Sequence, residues 1–448
     1  MASNPPSSKK GRKFHHKSRY GCLPCKQRRI KCDEKKPTCG NCVQRCVECS
    51  FKYYEPAPTS QQLITTTISD TTRPLMPAIP LQPTQSIPDL SFCRSNTRDL
   101  ELYCHFQMYT SPSFSDQISI QNVFREGFMN LAGSFRFVGH GLLSIAYIHL
   151  ATLSPASSAK LLTEGAFHLN HALPGYLETI KDITEENSAA LFGFAMFVVI
   201  FTFADVNEEC GVLLHTARHD PSKKTEAIKN LARSAARVAH SMHNIFGIFW
   251  RCQRWIASGP LAAAIQRYSP PVLNEYSMRW IKLEGERLAL LRNLWEHDPS
   301  ISMAQEGVLS DSLNSLRDTF AMVTQLTAVA ISNGNGEHEP SSIDLSEIHK
   351  QLFSGRLDDV QSVFTWYIRL SPGFITMIAD GNMYAMVVLA HYAIVLDRAC
   401  SDKWWLHQLP QRFVAVAQLI LGEERKGWIE WPLLVVTTEG GNRGHYTT

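Results

Sequence analysis

Six cysteines near the N-terminus follow a spacing that is repeated once, and this pattern constrains the chain more than any other feature. The first copy reads Cys22-x2-Cys25-x6-Cys32, and the same spacing returns 17 residues later as Cys39-x2-Cys42-x6-Cys49. The polar, basic residues 1–20 contain no apolar stretch typical of a secretory signal, so a disulfide framework is not expected. The duplicated spacing therefore predicts thiolate ligands for a metal.

Zinc suits such a site because it takes four soft ligands in a tetrahedron and undergoes no redox chemistry. One zinc would leave two of the six cysteines unused, whereas two zincs need eight ligand positions, so that two sulfurs must bridge both metals. The most symmetric choice takes one bridge from each repeat, and we favour Cys22 and Cys39. An iron–sulfur cluster stays open in principle, but six thiolates fit it poorly. A seventh cysteine, Cys46, breaks the repeat and is expected to be a free thiol.

Four cations lie between the second and third cysteines, in the segment Lys26-Gln-Arg28-Arg29-Ile-Lys31. About 30 residues cannot bury enough apolar surface to fold alone, so metal–thiolate bonds must hold a short helix after each C-x2-C pair. Arg and Lys at the exposed end of such a helix can read guanine in the major groove and neutralise phosphates. Lys26, Arg28, Arg29 and Lys31 are therefore the candidate DNA contacts, unless the basic run serves only nuclear import.

The distribution of charge along the 448 residues supports a polyanion partner at one end only. Residues 1–54 hold 14 Lys or Arg and three acidic residues, a net charge of +11, although the whole chain carries only +3. The remaining 394 residues therefore carry a net charge of −8. A basic head that precedes a mildly acidic body indicates a polyanion as the partner of the head, in agreement with double-stranded DNA as the predicted partner.

Composition divides the chain into five parts. We expect a small metal-stabilised zinc cluster domain and an all-α regulatory domain, joined by a disordered linker that has seven prolines within residues 55–90. The predicted parts are a disordered basic arm (1–19), the zinc cluster (20–54), the Pro/Thr-rich linker (55–96), the helical domain (97–436) and a disordered tail (437–448).

Helix signals recur throughout the predicted all-α domain. Thr184 precedes Glu185 and Glu186, which is typical of an N-cap followed by two carboxylates in the positive first turn. The uncharged run 188–204 that follows has 17 residues, and we interpret it as a buried core helix rather than a membrane span. Further helices are predicted over Lys224–His243, Ser277–Trp295, Ser310–Ile331, Met383–Ala399 and Arg412–Leu421.

Residues 21–51 resemble the fungal-type binuclear zinc cluster family of DNA-binding domains, and all six cysteines of that family's pattern are matched. The resemblance implies bridging by Cys22 and Cys39, base contacts from Arg28 and Arg29, a CGG-type half-site and a nuclear location. It also implies a structural proline in the loop between the repeats, at Pro37. Two features depart from the family: Cys46 stands where relatives usually have glycine, and prolines interrupt residues 51–79, which show no coiled-coil heptad. Binding as a monomer and pairing through the helical domain both stay open.

The helical region resembles the regulatory domain of sterol-uptake-control-type regulators, on the patterns in residues 100–103, 140–153, 170–204 and 428–432. This resemblance implies an apolar effector pocket, sterol-binding in one branch of the group. Ordinary core packing is the alternative role for the aromatic and methionine side chains that could line the pocket. These are Phe192, Phe194, Met196, Phe201, Phe203, Met377, Met383 and Met386.

Enzyme motifs are not found. The pair His215 and His219 lacks the glutamate of a zinc hydrolase helix, and His168 and His171 are expected to lack a partner carboxylate nearby. The chain is therefore predicted to be a zinc-dependent transcription factor that contacts DNA and the transcription machinery. Its target set would be RNA polymerase II genes of metabolism or secondary-metabolite biosynthesis. The alternatives are a sterol-responsive regulator and a helical ligand-binding protein with a basic import segment.

Overall fold

The computed structural model falls into two units, residues 1–82 and 83–448, which we treat one at a time. The residues described are 22, 25, 28, 30–35 and 38–45 in the first unit, and 97–266, 275–328, 360–400, 403–406 and 408–437 in the second. The predicted arm and linker lie outside them, and so does the predicted tail apart from Thr437, which is the last residue of a helix. Five residues with predicted roles also lie outside the described ranges, and their roles stay predictions: Lys26, Arg29, Pro37, Cys46 and Cys49.

In the first unit the short helix α1 (Gly40–Val43) directly follows Cys39, and Cys25 is helical as well. The described part of the second unit is helical and contains no strand, so the predicted all-α class is confirmed. Its α-helices are α2 (Thr97–His105), α3 (Ile118–Asn122), α4 (Phe128–Ser134), α5 (Arg136–Leu153), α6 (Ser158–Thr179), α7 (Glu185–His219), α8 (Lys224–Ser258), α9 (Ala262–Ile265), α10 (Glu275–Ala289), α11 (Met303–Ala328), α12 (Thr365–Arg369), α13 (Pro372–Ala379), α14 (Met383–Cys400), α15 (Leu409–Leu421) and α16 (Glu430–Thr437).

Two long helices, α7 and α8, form a hairpin at the centre of the second unit. Thr184 caps α7 as predicted: its Oγ1 accepts a hydrogen bond from the Asn187 backbone N–H at 3.4 Å, and Asn187 Oδ1 accepts one from the Thr184 N–H at 2.9 Å. This reciprocal box satisfies two donors that a helix start otherwise leaves unpaired. Both helices run 15 residues beyond their predicted ends, because the two-helix contact buries residues such as Cys210 and Cys252.

The core continues on both sides of the hairpin. Helix α5 packs against α6 and α7, and Gly141 permits the close approach to α7, because a Cβ there would lie 2.6 Å from the Phe197 ring. On the other side, every residue of α14 from Tyr384 to Arg398 is buried among neighbours that include α11, α15 and α16. The Trp366 ring from α12 stacks on the Tyr392 ring of α14, with centroids 4.3 Å apart.

Helix α7 is long and apolar enough to span a membrane, and the bent pair α13 and α14 passes the same test when it is counted as one span. In α7, however, 61% of the apolar window is buried within the protein. Phe194, Phe197 and Phe203 are each at most 1% exposed. These contacts favour the predicted core helix, since a helix that is apolar on all sides also suits the middle of a large helical domain.

Boundaries of the remaining predicted helices differ by a few residues. Helix α14 matches its prediction within one residue, and α15 begins three residues early, at Leu409. Helix α10 ends at Ala289, because residues 290–294 tighten into a 3-10 turn. Helix α11 begins at Met303, seven residues before the prediction.

Candidate metal centre and nucleic-acid interface

Five of the six repeat cysteines belong to the described residues, and their sulfur atoms converge in a buried cluster. Cys22, Cys25, Cys32, Cys39 and Cys42 are each at most 2% exposed. The Cys22 Sγ lies 3.5 Å from the Cys39 Sγ and 3.7 Å from the Cys42 Sγ. The edge of a zinc–thiolate tetrahedron is about 3.8 Å long, given Zn–S bonds of about 2.3 Å. The sulfur separations therefore fit zinc coordination.

Cys22 and Cys39 each approach sulfurs of both repeats. The Sγ atoms of Cys22, Cys25, Cys39 and Cys42 all lie within 4.8 Å of one another, and Cys39 also groups with Cys32. The Cys39 Sγ lies 3.7 Å from the Cys25 Sγ in the other repeat. A bridging sulfur must reach the ligands of two metals. Cys25 and Cys42 also approach sulfurs of both repeats, so bridging by Cys22 and Cys39 stays a prediction.

Burial of these thiols means that thiolate charge needs a compensating cation. Desolvation raises the pKa of the Cys22 and Cys25 thiols, and it raises the pKa of Cys39 to about 12. Packed together without metal, these groups would therefore stay protonated at neutral pH. A zinc dication supplies that compensation, because it binds the deprotonated form of each ligand.

Backbone donors stabilise the Cys32 sulfur. Its pKa is lowered although desolvation by burial opposes the shift, because the N–H groups of Cys22 and Glu34 each donate to Sγ at 3.4 Å. Glu34 adopts a positive φ of 56° at this turn. The chain thus bends sharply after the third cysteine and points a donor at its sulfur.

The described residues of the basic segment are Arg28, Ile30 and Lys31, and all three are exposed on the first repeat. The Ile30 N–H donates to the Cys25 carbonyl at 3.1 Å, and we call these three residues the basic turn. The side chains of Arg28 and Lys31 are exposed, so both are available to a partner. The structure thus presents two of the four candidate DNA contacts on one turn beside the metal ligands.

Sequence reasoning missed two residues that join the repeats. The Asp33 carboxylate accepts the Gly40 N–H at the start of α1, and Asn41 Nδ2 donates to the Lys31 carbonyl at 2.8 Å. Two features of the sequence could have indicated the contact between Asp33 and Gly40: an aspartate directly follows the third cysteine, and a glycine directly follows the fourth.

Comparison with known protein families agrees with this geometry. Residues 20–57 match the fungal Zn(2)-Cys(6) binuclear cluster domain, and residues 101–246 match the fungal specific transcription factor domain. These matches support a DNA-binding transcription regulator with a zinc cluster. The matched cluster domain binds two zinc ions, as predicted, and the two matched families are those of transcription factors rather than enzymes.

Three relatives show how the similarity is distributed along this regulator. A Zn(2)-C6 fungal-type transcription factor of Gibberella zeae is 22% identical over 96% of this chain and 88% of its own length. Sterol uptake control protein 2 of Candida albicans is 49% identical, but over only 12% of this chain and 8% of its own. An aspercryptin biosynthesis cluster-specific transcription regulator of Emericella nidulans is 52% identical over 9% of this chain and 6% of its own.

The match to the sterol uptake control protein spans 59 residues and lies in the N-terminal region. Residues 101–246 of the helical body match the fungal specific transcription factor domain, and the resemblance of that body to sterol-uptake-control-type regulators stays a prediction. Among the predicted pocket residues, Phe192, Phe194, Phe203, Met377 and Met386 are buried in the core, and Met196, Phe201 and Met383 pack against it. These positions accord with the core-packing alternative. An effector stays a prediction.

The histidine pairs of the helical body differ from each other in their surroundings. His215 and His219 lie on the exposed side of α7, with ring centroids 4.4 Å apart. The expectation that His168 lacks a carboxylate partner is wrong, because the fold brings Asp99 Oδ1 to 3.8 Å from the His168 Nε2. Sequence inspection missed this contact because 69 positions separate the two residues.

Proposed function

We propose that the regulator reads CGG-type half-sites in the major groove through its first repeat. Arg28 and Arg29 would contact guanine, and Lys26 and Lys31 would contact phosphate or base. The six cysteines of the duplicated spacing would hold both zinc ions, with Cys22 and Cys39 as the bridges. Arginine suits this role because its guanidinium pairs bidentately with guanine O6 and N7.

The observation that carries this proposal is the exposed basic turn beside a buried sulfur cluster. Arg28 and Lys31 are exposed and lie in the chain between Cys25 and Cys32, so metals bound to these cysteines would restrict where the two cations stand. The +11 charge of residues 1–54 would add attraction that is independent of sequence.

The cellular location, the target genes and the roles of the domains are also part of the proposal. The chain would act in the nucleus on RNA polymerase II genes, with residues 20–54 as the DNA-binding domain, 55–96 as a linker and 97–436 as the regulatory domain. Similarity to a regulator of a biosynthesis cluster supports a metabolic or secondary-metabolite gene set. The helical body would engage the transcription machinery, and any pairing of two copies would involve that body rather than an adjacent coiled coil.

The experiment is a salt titration of the full chain, loaded with zinc, on a CGG-containing duplex and on a scrambled duplex of equal composition. We expect two zinc ions per chain and a preference for CGG that persists as salt weakens both complexes. Arg28→Ala should reduce the CGG affinity far more than the scrambled affinity, since each base contact discriminates by about 1–3 kcal/mol. Equal losses on the two duplexes would instead assign Arg28 to phosphate contact, and a wild-type chain that ignores sequence would overturn the proposal.

A further inference from the structure

The two repeats are joined by a pair of polar contacts in addition to their shared metal ligands. The Gly40 N–H points at the Asp33 carboxylate, 3.1 Å from Oδ1 and 3.0 Å from Oδ2. The Asn41 side-chain amide donates to the Lys31 carbonyl at 2.8 Å. We call these two contacts the inter-repeat clamp. They fasten the backbone that follows the basic turn to the first turn of α1.

Asp33 caps the start of α1, which the side chain of the N-cap residue itself does not do. Cys39 occupies the N-cap position of α1 and makes no side-chain capping bond, and its sulfur lies within the metal-binding cluster. The first backbone N–H groups of a helix need an outside acceptor, and a carboxylate is favoured at this positive end. Asp33 provides that acceptor from the opposite repeat.

The lack of a side chain at Gly40 leaves room for this carboxylate. A Cβ placed on Gly40 would lie 2.8 Å from Asp33 Oδ2 and 3.7 Å from its Cγ, and no other described residue comes within 4 Å outside the immediate backbone neighbourhood. Alanine at position 40 would therefore force the carboxylate away. The clash belongs to Asp33 alone, which makes the contact separable by mutation.

We propose that Asp33 and Asn41 are positioning residues for DNA reading, which fix the direction in which the basic turn presents Arg28 and Lys31. This inference rests on the proposed function of that turn. Metal bonds fasten each cysteine at its sulfur, and the side-chain torsions between sulfur and backbone still have to be set. The clamp restricts them, because Asn41 holds the Lys31 backbone carbonyl and Asp33 holds the Gly40 backbone N–H. A base contact depends on such alignment, since small displacements of the guanidinium lose the bidentate geometry.

A metal-ligand role for Asp33 is the competing assignment. A carboxylate oxygen of Asp33 lies within 4.8 Å of the Cys32 and Cys39 sulfurs. Both of its oxygens, however, face the Gly40 N–H, and the residue is exposed, unlike the buried thiols. The two assignments differ in what zinc does when the carboxylate is removed.

The test compares the full, zinc-loaded chain with Asp33→Ala, Asn41→Ala, Gly40→Ala and the double variant Asp33→Ala/Gly40→Ala. Gln44→Ala is the matched control, because Gln44 is exposed beside the clamp and no hydrogen bond of its side chain takes part in it. Three quantities are measured: zinc per chain, the visible spectrum after cobalt substitution, and the ratio of affinities for CGG and scrambled duplexes.

We expect zinc content and the cobalt spectrum to stay at wild-type values in every variant. The affinity ratio should fall about tenfold in Asp33→Ala and in Gly40→Ala, as the loss of one charge-assisted hydrogen bond predicts, and less in Asn41→Ala. The double variant should match Asp33→Ala, since the clash at position 40 disappears with the carboxylate. Gln44→Ala should keep the wild-type ratio.

Other results overturn the inference in distinct ways. Loss of zinc or a changed cobalt spectrum in Asp33→Ala would make Asp33 a metal ligand. Additive losses in the double variant would mean that Gly40 acts independently of Asp33. An unchanged ratio in Asp33→Ala, with a wild-type chain that prefers CGG, would overturn the inference alone. A wild-type chain without that preference would overturn the proposed function and this inference together.

Discussion

The sulfur atoms of Cys22 and Cys39 lie 3.5 Å apart, although 17 positions separate these residues in the chain. Each is the first cysteine of its repeat, and each is at most 1% exposed. Their contact brings the two repeats together at equivalent positions, as the duplicated spacing predicts. A pair of sulfurs shared by two metals would make the two sites depend on each other.

Substitution of Cys39 should therefore remove both zinc ions rather than one. We expect Cys39→Ala to reduce zinc from two per chain to none, because a bridging ligand belongs to both tetrahedra and the small domain has little other folding energy. Metal analysis of the purified full chain measures this. Cys104→Ala is the control, since Cys104 is exposed and lies far away in sequence on α2. Retention of one zinc in Cys39→Ala would disprove the bridging role.

The ion pair between Glu284 and Arg398 should be among the most sensitive sites of the helical body. These side chains are 6% and 1% exposed, and Thr324 donates to Glu284 Oε2 at 2.6 Å. Glu284→Ala leaves a buried guanidinium without its counter-charge, and we expect a loss of about 3–5 kcal/mol in the free energy of unfolding. Urea denaturation of the full chain, followed by far-UV circular dichroism, measures it.

Two further variants test the cause of that loss. Glu284→Leu combined with Arg398→Met should recover most of the stability, because neither charge stays buried alone. Arg369→Ala breaks the exposed pair with Asp318 and should cost at most about 1 kcal/mol. If Glu284→Ala proves as mild as Arg369→Ala, the buried pair is not what joins α10 to α14.

Local signals explain which parts of this structure could be predicted. The cysteine repeat lies within 28 residues and the start of α7 depends on residues next to Thr184, and both predictions agree with the described residues. The ends of α7 and α8 depend instead on packing between the two helices. The apolar spacing does continue beyond the predicted ends, through Val206, Cys210 and Leu214 in α7 and through Ile245, Ile248 and Cys252 in α8. Only the burial of these positions in the folded chain shows that both helices reach 35 residues.

Contacts between distant residues account for what was missed at the sites. Glu284 and Arg398 are 114 positions apart, and neither has a feature in the sequence that marks it as buried. Asp33 and Gly40 are only seven apart, yet their contact needs the fold of the metal cluster to bring them together. A single sequence contains the residue types of such contacts but not their proximity.

The capping box of α7 should contribute measurably to the stability of the helical body. Thr184→Ala removes the oxygen that accepts the Asn187 N–H, and we expect a loss of about 1 kcal/mol in the free energy of unfolding. Thr216→Ala is the matched control on the same helix: its hydroxyl bonds to the Val212 carbonyl one turn back, and alanine has the higher helix propensity. Equal effects of the two changes in urea denaturation would mean that the cap is dispensable.

Buried histidine should make the helical body less stable as the pH falls. Desolvation lowers the pKa of His391 to about 4; its hydrogen bond to the Val387 carbonyl opposes this shift and the nearby Arg287 adds to it. An unfolded chain has a histidine pKa of about 6.5, so between pH 6.5 and 4 it binds a proton that folded His391 does not. The free energy of unfolding therefore decreases as the pH falls through this window.

Replacement of His391 should flatten that dependence. His391→Leu retains an apolar body against Trp431 and removes the titrating ring, so the loss of stability between pH 7 and pH 5 should be smaller than in the wild type. Some dependence will remain, because desolvation also lowers the pKa of His140 and His149 to about 4. Urea denaturation at pH 7, 6 and 5 measures the difference between variant and wild type. An unchanged slope in His391→Leu would show that His391 gains its proton without disturbing the core, and that its burial is not what makes stability depend on pH.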